Sequence, residues 1–195
     1  MLEIFSRMIS YALFALLIQT TVFGGIGIDE GVKAAKKPRY LFMYGFWVSF
    51  FSLSLSVTAR LASPLLEKIK PWSASQDFLC YTLMLIFIYI AAALFCRYIL
   101  HANRKYMNSL GFCAFNSLVM SMPAINGGSL VSAVGTALGA GAAFTLSVLI
   151  IRGGMKHINL NRHIPEIFRG TPALYIYISL IALALSCVSG GTVFI

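Results

Sequence analysis

The chain has 195 residues, of which 59% are hydrophobic and only 11% charged, and its formal net charge is +9. A soluble domain carries about 25% charged residues, so this composition excludes an ordinary soluble enzyme and points to an integral membrane protein. The positive charge sits at the edges of apolar runs, where basic residues anchor topology against anionic lipid; no nucleic-acid partner follows from it.

Charge-free runs cover 8–28, 40–59, 78–96, 106–151 and 171–195, and a spanning helix needs about 20 apolar residues. The first run, 8–28, predicts a span interrupted by Gln19-Thr20-Thr21 and followed by Gly24-Gly25-Ile26-Gly27-Ile28-Asp29. No small-residue cleavage site follows its apolar part, so it reads as a retained span and not a leader. Asp29 either opens a loop and caps a helix or stands as an acidic group on an ion path.

The second span, 40–62, opens on Tyr40, Phe42, Tyr44, Phe46 and Trp47, aromatics of the kind that settle at headgroup level. A short connection with Pro64, Glu67, Lys68, Lys70, Pro71 and Trp72 leads to a smooth third span, 78–100. The long run 106–151 holds Pro123 and Asn126-Gly127-Gly128 near its middle. It therefore reads as two spans, 107–123 and 129–151. The fourth carries Asn108, Ser109, Gly111, Asn116 and Ser117; such polar groups must find partners in protein or in a cavity, because lipid offers none. Cys113 stands four residues before Ser117, about one helical turn.

The fifth span places Gly135, Gly139 and Ala143 at i, i+4 and i+8, on one face. Small residues there let another backbone approach closely, which serves either tight packing or a path beside the helix. The sixth span is 171–195. Together these make one domain, residues 1–195: an all-α integral membrane protein with six transmembrane helices.

Eleven of the 15 basic residues fall in the odd-numbered connections: Lys33, Lys36, Lys37 and Arg39; Arg97, Arg104 and Lys105; Arg152, Lys156, Arg162 and Arg169. The positive-inside rule then places those connections in the cytoplasm and both termini outside a bacterial or archaeal cell membrane. The four cysteines, Cys80, Cys96, Cys113 and Cys187, form no metal-ligand spacing and read as small packing residues. His101, His157 and His163 lie in the basic connections. No P-loop, Rossmann, zinc-protease or nucleophile-elbow motif occurs. The chemistry, if any, must come from the two interrupted segments, Gln19 to Asp29 and Asn108 to Gly128. Matching interruptions in two halves mark discontinuous helices that meet near a membrane midplane.

The last third adds a family likeness. A small-residue helix from Ser132-Ala133 ends in Ile150-Ile151-Arg152; then come Pro165-Glu166-Ile167-Phe168-Arg169-Gly170 and an apolar helix closing on Ser189-Gly190-Gly191. This resembles the six-span membrane subunits of the Rnf and Na⁺-translocating NADH:quinone reductase complexes, the RnfA/NqrE branch, in which a P-x-x-F-R-G stretch precedes the last helix. The resemblance implies inverted repeats with half-helices, and a homologous sister subunit as partner. It also implies an intramembrane iron or [2Fe–2S] centre at their interface, held by cysteines of an L-G-x-C and a T-N-C stretch. Here the corresponding stretches read Ile26-Gly27-Ile28-Asp29 and Phe115-Asn116-Ser117. Asp29 and Ser117 occupy the ligand positions, flanked by Gly27 and Asn116, and thiolates, not Asp and Ser, hold such centres. The expectation is a membrane subunit that retains the scaffold without binding a metal by itself. Two other readings stay open: a vitamin-capturing S-component of an energy-coupling transporter, also six-span, and a membrane subunit that is purely structural.

Overall fold

The computed structural model describes residues 2–20, 31–32, 38–68, 74–101, 104–121, 130–161 and 164–188. Those residues form α1 (Leu2–Thr20), α2 (Pro38–Lys68), α3 (Ala74–Tyr98), α4 (Arg104–Ala114), α5 (Ser117–Met120), α6 (Leu130–Leu160), a 3-10 turn (Glu166–Phe168) and α7 (Thr171–Val188). No strand occurs among them. Among the described residues, three stretches are long and apolar enough to cross a membrane: Tyr40–Ala62, Leu79–Tyr98 and Leu130–Leu160. Backbone groups satisfied entirely within a helix are what a lipid environment demands, and the architecture is that of a helical membrane protein.

The bundle is organised around α6. Its buried residues run Ser132, Ala133, Gly135, Thr136, Ala137, Gly139, Ala140, Gly141, Ala143, Phe144, Ser147, Val148 and Ile151. Most of these side chains are small and they cover about two thirds of the circumference, leaving an exposed face at Leu138, Leu146 and Leu149. α1 and α2 make the most extensive packing on it. Gly135 takes α1: a Cβ there would lie 2.7 Å from the Met8 carbonyl oxygen and 2.9 Å from Tyr11 Cβ. Gly141 takes α2, whose Gly45 carbonyl and Ser49 side chain occupy the space a Cβ would need. The hydroxyls of α6 turn back onto their own helix. Thr136 Oγ1 donates to the Ser132 carbonyl at 2.8 Å, Thr145 Oγ1 to Gly141 at 2.8 Å and Ser147 Oγ to Ala143 at 2.6 Å. This i to i−4 bonding satisfies a polar group without a partner helix.

α2 lays the apolar stripe Leu41, Tyr44, Val48, Phe51 and Leu55 over the same core, where it meets Leu85 of α3, Leu110 and Cys113 of α4, and Phe144 and Val148 of α6. The spacing of that stripe is helical, i, i+3, i+7, i+10 and i+14, so one face of α2 is buried throughout. α7 joins through a smaller cluster of Ile151, Leu174 and Ile178.

Several boundaries differ from the sequence reading. α2 continues past Ala62 to Lys68, so Pro64, Glu67 and Lys68 stand on helix and not in a connection, and α3 begins at Ala74. α6 continues past Ile151 to Leu160, so Arg152, Lys156 and His157 stand on helix and not in a connection. At 1.5 Å per residue its 31 residues reach about 46 Å, well beyond a hydrocarbon core of about 30 Å. His157 stands in the last turn, where a basic group is favourable. The fourth predicted span is divided: α4 stops at Ala114 and α5 starts at Ser117.

Candidate functional site

The division falls at Phe115-Asn116, inside the second interrupted segment. Asn116 adopts an extended conformation, φ −99° and ψ 142°, and caps α5: its Oδ1 accepts from the Leu118 N–H at 3.1 Å. Asn competes in this way with continuation of a helix, because its side chain offers the backbone a local partner. The Asn116 carbonyl accepts from both Val119 N and Met120 N at 3.0 Å, and Phe115 N donates back to Gly111 at 2.9 Å. The Ser117 hydroxyl approaches Asn116 Oδ1 at 3.4 Å.

What makes the break a candidate site is its depth in the molecule. Asn116 is 0% exposed, and its Nδ2 has no hydrogen-bond partner among the described residues. Around it Cys113, Ala114, Leu118 and Val119 belong to the main core. The Tyr89 ring lies against Phe115 with centroids 5.4 Å apart. Ser52 of α2, the helix that packs on α5, is likewise 0% exposed with an unpartnered Oγ. Buried polar atoms without partners are uncommon and mark functional or strained positions. Here the orphaned group at the break is a donor, so it fits a hydrogen-bond acceptor.

The donor set does not fit the iron or [2Fe–2S] centre that the family likeness implies. Such centres are held by thiolates, whereas the break offers an amide and a hydroxyl. Cys113 does not join them on one helical face, because α4 ends between Cys113 and Ser117. No group of three or more His, Cys, Asp and Glu side chains gathers among the described residues. Asp29 and Gly27 lie outside the described residues, as do Pro123 and Asn126-Gly127-Gly128. The chain is nonetheless inside the bundle two residues after Asp29. Gly31 is buried, and a Cβ on it would lie 2.7 Å from Phe144 Cζ and 3.6 Å from Val148 Cγ2.

The segment that carries the family likeness has a structural use. Pro165 leads into the 3-10 turn, where Phe168 N donates to Pro165 at 3.0 Å and Arg169 N to Glu166 at 3.1 Å. Arg169 Nη2 donates to the Asn161 carbonyl at 3.4 Å, just past the end of α6. Gly170 then takes φ +83°, a left-handed conformation that favours glycine, and α7 begins. Pro, Arg and Gly thus set the angle at which α7 returns to the bundle.

Sequence reasoning missed Gly45. It lies among the aromatics read as interface anchors, yet it marks the closest approach of α2 to α6. The signal available was a lone glycine with Thr145 and Gly141 as counterparts, which is too sparse to pair without coordinates.

Fold and site together define a helical membrane protein with a buried, capped helix break. No family model and no curated protein matches the chain.

Proposed function

We propose that this chain is a six-span membrane subunit of an Rnf/NQR-like ion-translocating electron-transport complex, built on inverted repeats and working beside a homologous sister subunit. In this reading it lies in a bacterial or archaeal cell membrane with both termini outside. The observation that carries the reading is the helix break at Asn116. It falls at the residue where the family likeness puts a half-helix, and it is buried with an amide donor left over. The return of the chain to the core at Gly31, directly after the first interrupted segment, supports a second half-helix there. The chain contributes scaffold and packing surface, and any iron centre at the interface takes its thiolates from the sister subunit.

Affinity purification of the tagged full chain from native membranes tests this. The expected result is recovery of a homologous six-span protein together with iron, with iron lost on substituting the partner's cysteines and unchanged in Ser117→Ala. A stable monomer that never associates with such a protein overturns the reading.

A further inference from the structure

α6 is anchored along its inner length and loosely built at its end. Gly135 and Gly141 seat α1 and α2, and Ile151 is its last buried residue. From Arg152 to Leu160 no side chain is buried. Two consecutive glycines, Gly153 and Gly154, stand where the anchored part passes into this end, and the helix runs through both. A glycine inside a helix loses more backbone entropy than other residues do, so each of the two weakens α6 at this point.

Gly154 is there for packing. The Tyr177 ring and hydroxyl of α7 occupy the space that a Cβ on Gly154 would need. Gly153 has no such neighbour: a Cβ on it meets nothing within 4 Å. Alanine fits at 153, and packing does not account for the glycine. What glycine supplies there and alanine does not is backbone freedom, and long helices bend at such points.

α7 lies across this point like a splint. Before Gly153, Leu174 and Ile178 of α7 pack on Ile151; after it, Tyr177 lies against Gly154, with Met155 beside the same cluster. The end of α6 is also tied to the connection that follows, because Arg169 Nη2 donates to the Asn161 carbonyl. A bend at Gly153 carries the end of α6 and that connection together, and it requires Tyr177 to leave Gly154.

We propose that Gly153 is the pivot of a hinge in α6 and that Tyr177 is the clasp that holds it closed. With the clasp seated, α6 is one continuous helix of 31 residues. With it displaced, the segment beyond Gly153 swings against a bundle that stays in place, as hinged elements do about a few permissive residues. The inner part of α6 does not follow, because the α1 and α2 backbones hold it at Gly135 and Gly141.

The test places spin labels at Phe42→Cys on α2 and Asn159→Cys near the end of α6, both exposed positions. Cys80 and Cys187 are replaced by serine, while Cys96 and Cys113 are fully buried. Pulsed electron spin resonance on the full chain in nanodiscs then reads the distance from the bundle to the end of α6. From Gly153 to Asn159 is about 9 Å along the helix, so a pronounced bend moves the label by several ångströms. The parent is expected to give one narrow distance. Tyr177→Ala adds a second distance, and Gly154→Ala does the same by expelling the ring. Gly153→Ala/Tyr177→Ala restores the single distance although the clasp is still missing. Gly153→Ala alone slows amide hydrogen exchange at residues 155–158 about fivefold, the factor by which alanine outweighs glycine inside a helix. A single distance in both Tyr177→Ala and Gly154→Ala overturns the proposal. So does a second distance that survives Gly153→Ala, or a lower melting temperature for Gly153→Ala than for the parent.

Discussion

α3 and α6 are both long apolar helices, yet they are built for opposite surroundings. Of the most apolar stretch of each, 11% is buried inside the chain for α3 and 61% for α6. α3 directs Leu83, Phe87, Ile90, Leu94 and Phe95 outward, whereas α6 presents Gly, Ala, Ser and Thr to its neighbours. Mean apolarity does not separate them; side-chain size does. Within a membrane, lipid tails are as apolar as leucine, so a helix gains little by burying large residues. It gains by letting backbones approach closely. Small residues mark where α6 receives the α1 and α2 backbones; large ones such as Phe51, Leu55 and Leu85 fill the core around them, and others cover the rim.

That contrast can be broken most severely at the large residue that α6 does bury. Phe144 is fully buried in the main core, and Phe144→Ala is expected to lower stability by about 3–5 kcal/mol, read as unfolding in a denaturant titration in detergent. Gly141→Leu comes next. Its side chain has no space short of displacing the α2 backbone, and the loss should reach the upper part of the roughly 1–3 kcal/mol typical of overpacking; a thermal melt measures it. At the break the sign is informative. Asn116→Ala removes the cap on Leu118 N and should cost about 1 kcal/mol, while Asn116→Ser keeps a capping oxygen, drops the orphaned amide and should melt at or above the parent temperature. Phe87→Ala on the rim should change the melt by no more than about 0.5 kcal/mol. A large loss there would mean that α3 is covered by protein and not by lipid.

The sequence made some of this legible for physical reasons. Charge-free runs foretold the helices because charge is what lipid excludes. They misplaced the end of α6 because Arg152 interrupts the apolar run without interrupting the helix. The break lies inside the segment read as interrupted, Asn108 to Gly128, but its position at Asn116 was not legible, because 107–123 read as one continuous span. The single-face reading of Gly135, Gly139 and Ala143 captured only part of α6, since Gly141 receives α2 on another side. Cys113 seemed to accompany Ser117 only while one continuous helix was assumed. The Gly45 crossing was hidden, because which glycines meet is a property of two helices at once.

Gly135 and Gly141 lie about 120° apart around α6, and each admits a different backbone. The helix is therefore keyed twice. Turning it by one residue presents Thr136 to α1 and Ala142 to α2, and sliding it by a turn does the same to other side chains. Neither rotation nor piston motion of α6 is compatible with both contacts. In this packing α6 is held on two sides at once, and the elements that touch it least are α3, α4 and the short helix beyond Asn116.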